Sequence, residues 1–304
     1  MNGKIKKILK NPALLFLTLG QRGWFNWIPD EPYLKIAYFI KTGKKLHLNP
    51  PVTFNEKLQW LKLHDRRPEY TMMVDKYEVK KYVAEKIGEE HIIPTYGVWE
   101  RFEDIDFDQL PDQFVLKCTH DSGGLVICKD KSKFDSEKAR KKINRCLRHN
   151  FYWGQREWPY KDVKPRIIAE KYMTDDGDEL QDYKVHNFNG VPKVVLLCRD
   201  RFKEAGLTED FFTGEWIHLD VKRLESPNAE VIAKQPMKLK DMLEMAERLS
   251  ARIPFLRTDF YEVNGNVYFG ELTFFPTSGF NGFDPETFDH ELGGWITLPD
   301  KWGG

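Results

Sequence analysis

Residues 257–280 read RTDFYEVNGNVYFGELTFFPTSGF, and the order of residue types in them decides the fold. Two apolar runs flank Asn264-Gly265, a dipeptide that accepts the positive φ of a two-residue hairpin turn. With those two as the turn, Val263 lies opposite Asn266. Counting outward, Asp259 falls opposite Gly270, with Glu271 one residue further on. That register brings two carboxylates close together among Phe260, Val267, Tyr268, Phe269 and Leu272, where like charges are costly unless a cation neutralises them. Magnesium takes one or two carboxylates and completes its octahedron with water and phosphate oxygens. Asp259 and Glu271 are therefore candidate metal ligands; two ordinary surface carboxylates are the alternative, which the apolar flanks disfavour.

Upstream, runs at 183–188 and 192–198 flank a second turn pair, Asn189-Gly190, and predict another antiparallel hairpin. Residues 165–173 (PRIIAEKYM) read as an apolar strand, after which Glu170, Lys171, Tyr172 and Met173 can present backbone groups to an adenine edge while Met173 covers its face. A plain strand end is the alternative there. Residues 113–117 and 125–129 read as strands joined by a polar tip, CTHDSGG. Glycines let backbone amides approach phosphate oxygens, and Lys117 adds a point charge beside Ser122, Gly123 and Gly124, although turns also take glycine for steric reasons alone. The sequence contains neither G-x-x-x-x-G-K-[ST] nor G-x-G-x-x-G, so the two commonest nucleotide-binding folds gain no support. Helices are predicted over 55–63 after the N-cap sequence Thr53-Phe54-Asn55-Glu56, over 75–87 with Gly88 as C-cap, over 136–147 and over 238–253. A short strand interrupted by Pro94 is predicted over 91–99.

With 41% hydrophobic and 31% charged residues, the 304-residue chain has apolar material for a core. Lys+Arg and Asp+Glu both count 47, so no global field points to nucleic acid and phosphate binding must be local. Cys118, Cys128, Cys146 and Cys198 form no CxxC pair, and reduced thiols in a cytoplasmic setting are expected. Residues 1–10 are lysine-rich and 12–19 apolar, a run too short to span a bilayer. A helix packed on the protein's own core is expected; an interfacial helix using Trp24, Phe25, Trp27 and Ile28 is the alternative. His64, His120, His186 and His218 lack metal-ligand spacing, with His120 and His186 as candidate substrate contacts. Trp153, Trp158, Tyr160 and Trp216 suit the core better than a sugar-stacking role.

Taken in order, FNEKLQWLK (54–62), DKYEVKKYV (75–83), FVLKCTHDSGG (114–124), IIAEKYM (167–173), DYKVHNFNG (182–190) and GELTFFPTSGF (270–280) resemble the ATP-grasp superfamily, and more closely its TupA-like family, over roughly residues 50–300. The resemblance implies an α+β ATP-grasp fold, two α+β lobes clasping ATP between antiparallel sheets. It implies a helical N-terminal extension over 1–52 and an N-terminal lobe over 53–110. A small lobe with the phosphate loop and adenine hinge would span 111–175, and a C-terminal lobe with the magnesium site 176–304. ATP and Mg2+ would be used. Lys76 and Lys117 would contact the phosphates under a loop of Ser122, Gly123 and Gly124; Glu170, Lys171, Tyr172 and Met173 would hold adenine; Asp182 would take the ribose hydroxyls. Lys184 and Arg199 would reach phosphate, and Arg257, with Lys184 the catalytic pair, would stabilise an acyl phosphate. Asp259 and Glu271 would bind at least one magnesium, with Thr273 where the superfamily usually has asparagine, and Ser278 and Gly279 would meet the substrate.

The activity implied is an ATP-dependent carboxylate–amine ligase joining an amino acid or amine to a uronic acid or related sugar in surface polysaccharide biosynthesis. Its partners would be small or sugar-linked carboxylates and amines, with a peripheral membrane contact through the N-terminal segment and a homodimer as further expectations. Two other readings remain at this stage. One is a glycosyltransferase using Asp104-Ile105-Asp106 or Asp106-Phe107-Asp108 as a D-x-D motif; the other is a nucleotide-binding regulator without catalysis, which Arg257, Asp259 and Glu271 oppose and Thr273 slightly favours.

Overall fold

Thr53 opens the helix that ties the halves of the molecule together. Its hydroxyl accepts from Glu56 N at 3.3 Å, and Glu56 Oε2 accepts from Thr53 N at 3.2 Å, so the N-cap sequence closes as a reciprocal capping box. The computed structural model describes residues 13–174, 180–200 and 206–300; the lysine-rich start and most of the acidic loop expected over 174–180 lie outside them. In chain order the elements are α1 (Leu14–Gln21), α2 (Asp30–Thr42), α3 (Phe54–His64), α4 (Glu69–Val74), α5 (Val79–Ile87), β1 (Thr95–Trp99), β2 (Phe114–Cys118), β3 (Leu125–Cys128), α6 (Ser136–Leu147), α7 (Tyr152–Gln155) and β4 (Ile167–Lys171). Then follow β5 (Asp182–Phe188), β6 (Val191–Arg199), β7 (Thr208–Thr213), β8 (Lys222–Arg223), α8 (Leu239–Ser250), β9 (Phe255–Val263), β10 (Asn266–Thr273), β11 (Phe283–Asp284) and α9 (Thr287–Trp295).

Two antiparallel sheets carry the architecture, one ordered β1-β4-β2-β3 and the other β10-β9-β5-β6-β7. Helix α6 covers the first, with Phe114, Leu116, Ile143, Ile167 and Ala169 in one cluster. Because β1 pairs with β4, the lobe boundary expected at 110/111 runs through this sheet. The second sheet shares its core with α3, α4, α5, α8 and α9, through Phe54, Leu58, Val83, Val185, Leu249, Phe260 and Leu292 among others. Residues 53–91 therefore lean on the C-terminal sheet rather than forming a lobe apart. Both Asn-Gly turns form as expected, with Asn189 and Gly190 at φ 52° and 83° and Asn264 and Gly265 at 49° and 72°. Strand β7 was hidden in the sequence because its buried Glu209 and Asp210 interrupt the apolar signal.

Helices α1 and α2 bury Leu17, Tyr33, Leu34, Ala37 and Tyr38 with Phe280, so this segment packs on the protein itself. Trp24 and Trp27 stay 67% and 78% exposed. No helix among the described residues is long and apolar enough to cross a membrane. Thr53→Ala removes one arm of the capping box and is expected to cost about 1 kcal/mol, read as a lower urea midpoint at unchanged slope.

Candidate active site

A strict two-residue turn would leave Glu271 on the opposite face of the hairpin from Asp259, since neighbouring residues along a strand alternate faces. The structure corrects the register read from sequence. The pairing slips between Phe269 and Glu271, so that Glu271 pairs directly with Asp259 and Thr273 with Arg257. The slip occurs at Gly270, where a Cβ would lie 3.1 Å from Asp259 O and 3.2 Å from the Tyr261 ring. This bulge, and not the turn alone, brings the acids onto one face.

On that face Asp259 is 1% exposed and is held by cations on both sides. Arg257 donates to Asp259 Oδ1 from Nε and to Oδ2 from Nη2, both at 2.7 Å, and reaches Glu271 Oε1 at 2.8 Å and Thr273 Oγ1 at 3.0 Å. From β5, whose Lys184 pairs with Asp259, the ammonium bridges Asp259 Oδ2 at 2.5 Å and Asp182 Oδ2 at 2.6 Å. Burial works against both cations, yet Asp259 and its acidic neighbours hold Arg257 and Lys184 firmly charged, above their ordinary pKa. His186, pairing with Arg257, behaves oppositely: burial first, then Arg257, drive it down to about 3, so it is neutral at physiological pH.

The four-stranded sheet offers a second charged cluster. Glu170, 4% exposed, accepts from Lys117 at 2.6 Å and pairs with Lys80. Burial tends to raise its pKa, but Lys117 and Lys80 together hold it below the ordinary value. Lys80, which also donates to Ile93 O at 2.8 Å and Thr95 Oγ1 at 2.6 Å, escaped the sequence reading. Its only trace there is a second lysine one helical turn after Lys76. Met173 turns inward against Ile93 and Val263, while Lys171 and Tyr172 line an outer crevice with Tyr96 and Lys129. The four residues expected at the adenine thus divide between two sides of the strand.

In the tip between β2 and β3, Asp121 Oδ1 accepts from the amides of Gly123 at 2.9 Å and Gly124 at 2.8 Å, and Lys76 Nζ donates to Asp121 O. Ser122 and Gly123 are exposed. A Cβ on Gly124 would sit 2.5 Å from Cys118 Sγ, so the loop folds only with glycine there. Tyr160 stays protonated: burial, then Glu157 and Glu271, raise its pKa well above the ordinary value. The structure does not bring Arg199 into this group; it pairs with Asp210 on β7 at 2.8 Å. Ser278 and Gly279, expected at the substrate, are buried and bonded inward to Glu157 and Gln59. Of the aromatics, Trp216 stacks on Phe212 at 4.1 Å and Trp158 lies against Tyr70. Asp106 Oδ1 caps Asp108 N at 3.0 Å in an exposed turn. Among the described residues no three His, Cys, Asp or Glu side chains are grouped to hold a metal; Asp259 and Glu271 are two, with Thr273 beside them.

Glu170→Gln leaves Lys80 and Lys117 without their carboxylate and is expected to cost about 3 kcal/mol. Because Glu170 titrates below the ordinary value of 4.5, its contribution is whole above that pH and is lost as pH falls through the folded value. The gap in urea midpoint between wild type and variant should therefore narrow on acidification.

Comparison with curated sequences finds no match. Among solved structures, D-alanine–D-alanine ligase from Bacillus anthracis, complexed with ATP, is 16% identical with a TM-score of 0.39 over 66% of this chain and 53% of that one. The Helicobacter pylori D-alanine–D-alanine ligase is 15% identical, with a TM-score of 0.43 over 80% and 69%. The ATP-grasp ligase PsnB, complexed with a minimal precursor, Mg and ADP, is 10% identical, with a TM-score of 0.38 over 72% and 57%. The chain thus spans about half the length of the first of these. The family model described as TupA-like ATPgrasp matches residues 56–297, which contain all of the charged clusters described above, and this α+β chain belongs to the TupA-like ATP-grasp family.

Proposed function

We propose that the protein is an ATP-dependent carboxylate–amine ligase that forms an amide through an acyl phosphate, releasing ADP and phosphate. Its substrates on this reading are a uronic acid or related sugar carboxylate and an amino acid or other amine, joined during surface polysaccharide assembly in the cytoplasm. The observation that carries the proposal is the run Asp182, Lys184, Asp259, Arg257, Glu271 on one face of adjoining strands, with Lys117 held ready by Glu170 on the other sheet.

The donor set fits magnesium: two directly opposed carboxylates and a hydroxyl, all hard oxygen ligands, which the ion would use while neutralising the triphosphate. Lys117, fixed by a buried acid, holds a positive charge for phosphate oxygens. Arg257 stays charged beside both carboxylates, so its guanidinium suits charge that develops on an acyl phosphate. Lys184 stays charged between Asp182 and Asp259 and suits the same task. No side chain has to act as a nucleophile, because ligation of this kind rests on positioning and charge neutralisation. Neutral His186 supplies no acid at physiological pH. A glycosyltransferase gains nothing from Asp106, whose carboxylate is spent on its own turn.

Stabilisation of the fold by Mg-ATP, seen as a rise in melting temperature, supports the reading, whereas stabilisation by a UDP-sugar and not by ATP removes it. Glu271→Ala is expected to abolish carboxylate-dependent phosphate release, by about a hundredfold or more, with the far-UV spectrum unchanged. Wild-type turnover by that variant would take Glu271 out of the metal site.

A further inference from the structure

Arg156 is 1% exposed and holds the turn between α1 and α2 from beneath. Its Nη2 donates to Phe25 O at 2.9 Å and to Ile28 O at 3.2 Å, while the Tyr33 and Trp153 ring centroids lie 4.2 and 4.8 Å from the guanidinium carbon. Phe25 stacks on Phe16 with centroids 4.6 Å apart, and Phe25 and Ile28 both pack on the α1–α2 cluster. Trp24 and Trp27, next to them in the chain, stay in solvent. Their exposure therefore belongs to a turn that a buried cation fixes.

Helix α2 continues the pattern. Tyr33, Leu34, Ala37 and Tyr38 are buried, and the opposite stripe carries Pro32, Lys35, Ile36 and Phe39, the last 61% exposed. Of the fourteen large apolar side chains exposed among the described residues, five fall between Leu15 and Phe39: those two, Trp24, Trp27 and Ile36. Single exposed hydrophobes are ordinary, but such a concentration marks an interaction surface. The charge of this segment has one sign. Residues 1–45 hold nine lysines and arginines against two acids, Asp30 and Glu31, in a chain whose totals are equal. Both acids are taken, Asp30 by Arg66 at 2.5 Å and Glu31 by Lys35 at 2.6 Å. Arg22, Lys41 and Lys45 are exposed and form no ion pair among the described residues. Exposed indole rings beside unpaired cations match an anionic lipid surface, where tryptophan sits at headgroup depth and lysine or arginine meets phosphate.

We infer that the outer side of the α1–α2 pair docks the protein peripherally on an anionic phospholipid surface, with Trp24, Trp27 and Phe39 entering the headgroup layer and Arg22, Lys41 and Lys45 meeting lipid phosphates. Lipid binding is read without substrate or nucleotide, so this assignment stands or falls apart from the ligase reading. The test floats the full chain with vesicles of phosphatidylglycerol and phosphatidylcholine in equal parts, and with vesicles of phosphatidylcholine alone. Wild type should float with the first and not with the second, and added salt should release it. Trp24→Ser/Trp27→Ser should weaken binding about tenfold or more, with the melting temperature within about 2 °C of wild type. Lys41→Gln/Lys45→Gln, at exposed positions, should weaken it about tenfold. Absence of wild-type flotation with the anionic vesicles overturns the proposal, and equal flotation with both kinds overturns the anionic assignment. Wild-type affinity in the tryptophan variant, with binding lost only when Lys4, Lys6, Lys7 and Lys10 are changed to glutamine, overturns the α1–α2 surface. Wild-type affinity in Lys41→Gln/Lys45→Gln overturns the role of those cations whether or not the tryptophan variant folds. A dimer of wild type in vesicle-free solution that Trp24→Ser/Trp27→Ser dissociates, seen by light scattering, gives the surface to a second copy of the chain and overturns the lipid assignment.

Discussion

Arg257 between Asp259 and Glu271 is the contact on which the site is organised. Buried Asp259 and half-buried Glu271, directly opposed, repel each other; one guanidinium bonds both, and Lys184 adds a second cation at Asp259. From this pair the order spreads sideways: Lys184 shares Asp259 Oδ2 with Arg257 and carries the charge pattern to Asp182. The same guanidinium is thus a structural cation here, shared by two strands of the hairpin. A site whose acids are satisfied in advance keeps its geometry before any ligand arrives.

A second constraint comes from α3. Its apolar positions join the core of the five-stranded sheet, while its buried polar residues bond the turn after β10. The helix therefore links the packing of the whole C-terminal half to a few backbone angles beside Arg257. Glu157 adds a bond from the segment after α7, so two stretches far apart in sequence converge on Ser278.

Much of the fold was legible because its signals are local. Both Asn-Gly hairpins, the N-cap at Thr53 and the helix at residues 136–147 follow from turn chemistry and periodicity. The bulge at Gly270 was not legible, since nothing in a strand pattern says that one glycine will slip the register; the acids were chosen rightly as neighbours for a reason that needed this correction. Lys80, Gln59 and Lys62 were passed over because a polar residue in a helix ordinarily faces solvent, and only the tertiary partners, Glu170 and the carbonyls of Ser278 and Gly279, reveal that these face inward. Ser278 and Gly279 were read as substrate contacts because a short motif cannot say which way its side chains and carbonyls turn.

The charged groups of the two clusters come in balance: Lys80, Lys117, Lys184 and Arg257 are matched against Glu170, Asp182, Asp259 and Glu271. Such pairing leaves little net potential to reach beyond a Debye length into solution. These two clusters therefore add little long-range pull on a polyanion. What they offer a ligand is short-ranged, so discrimination is left to the contacts made after arrival.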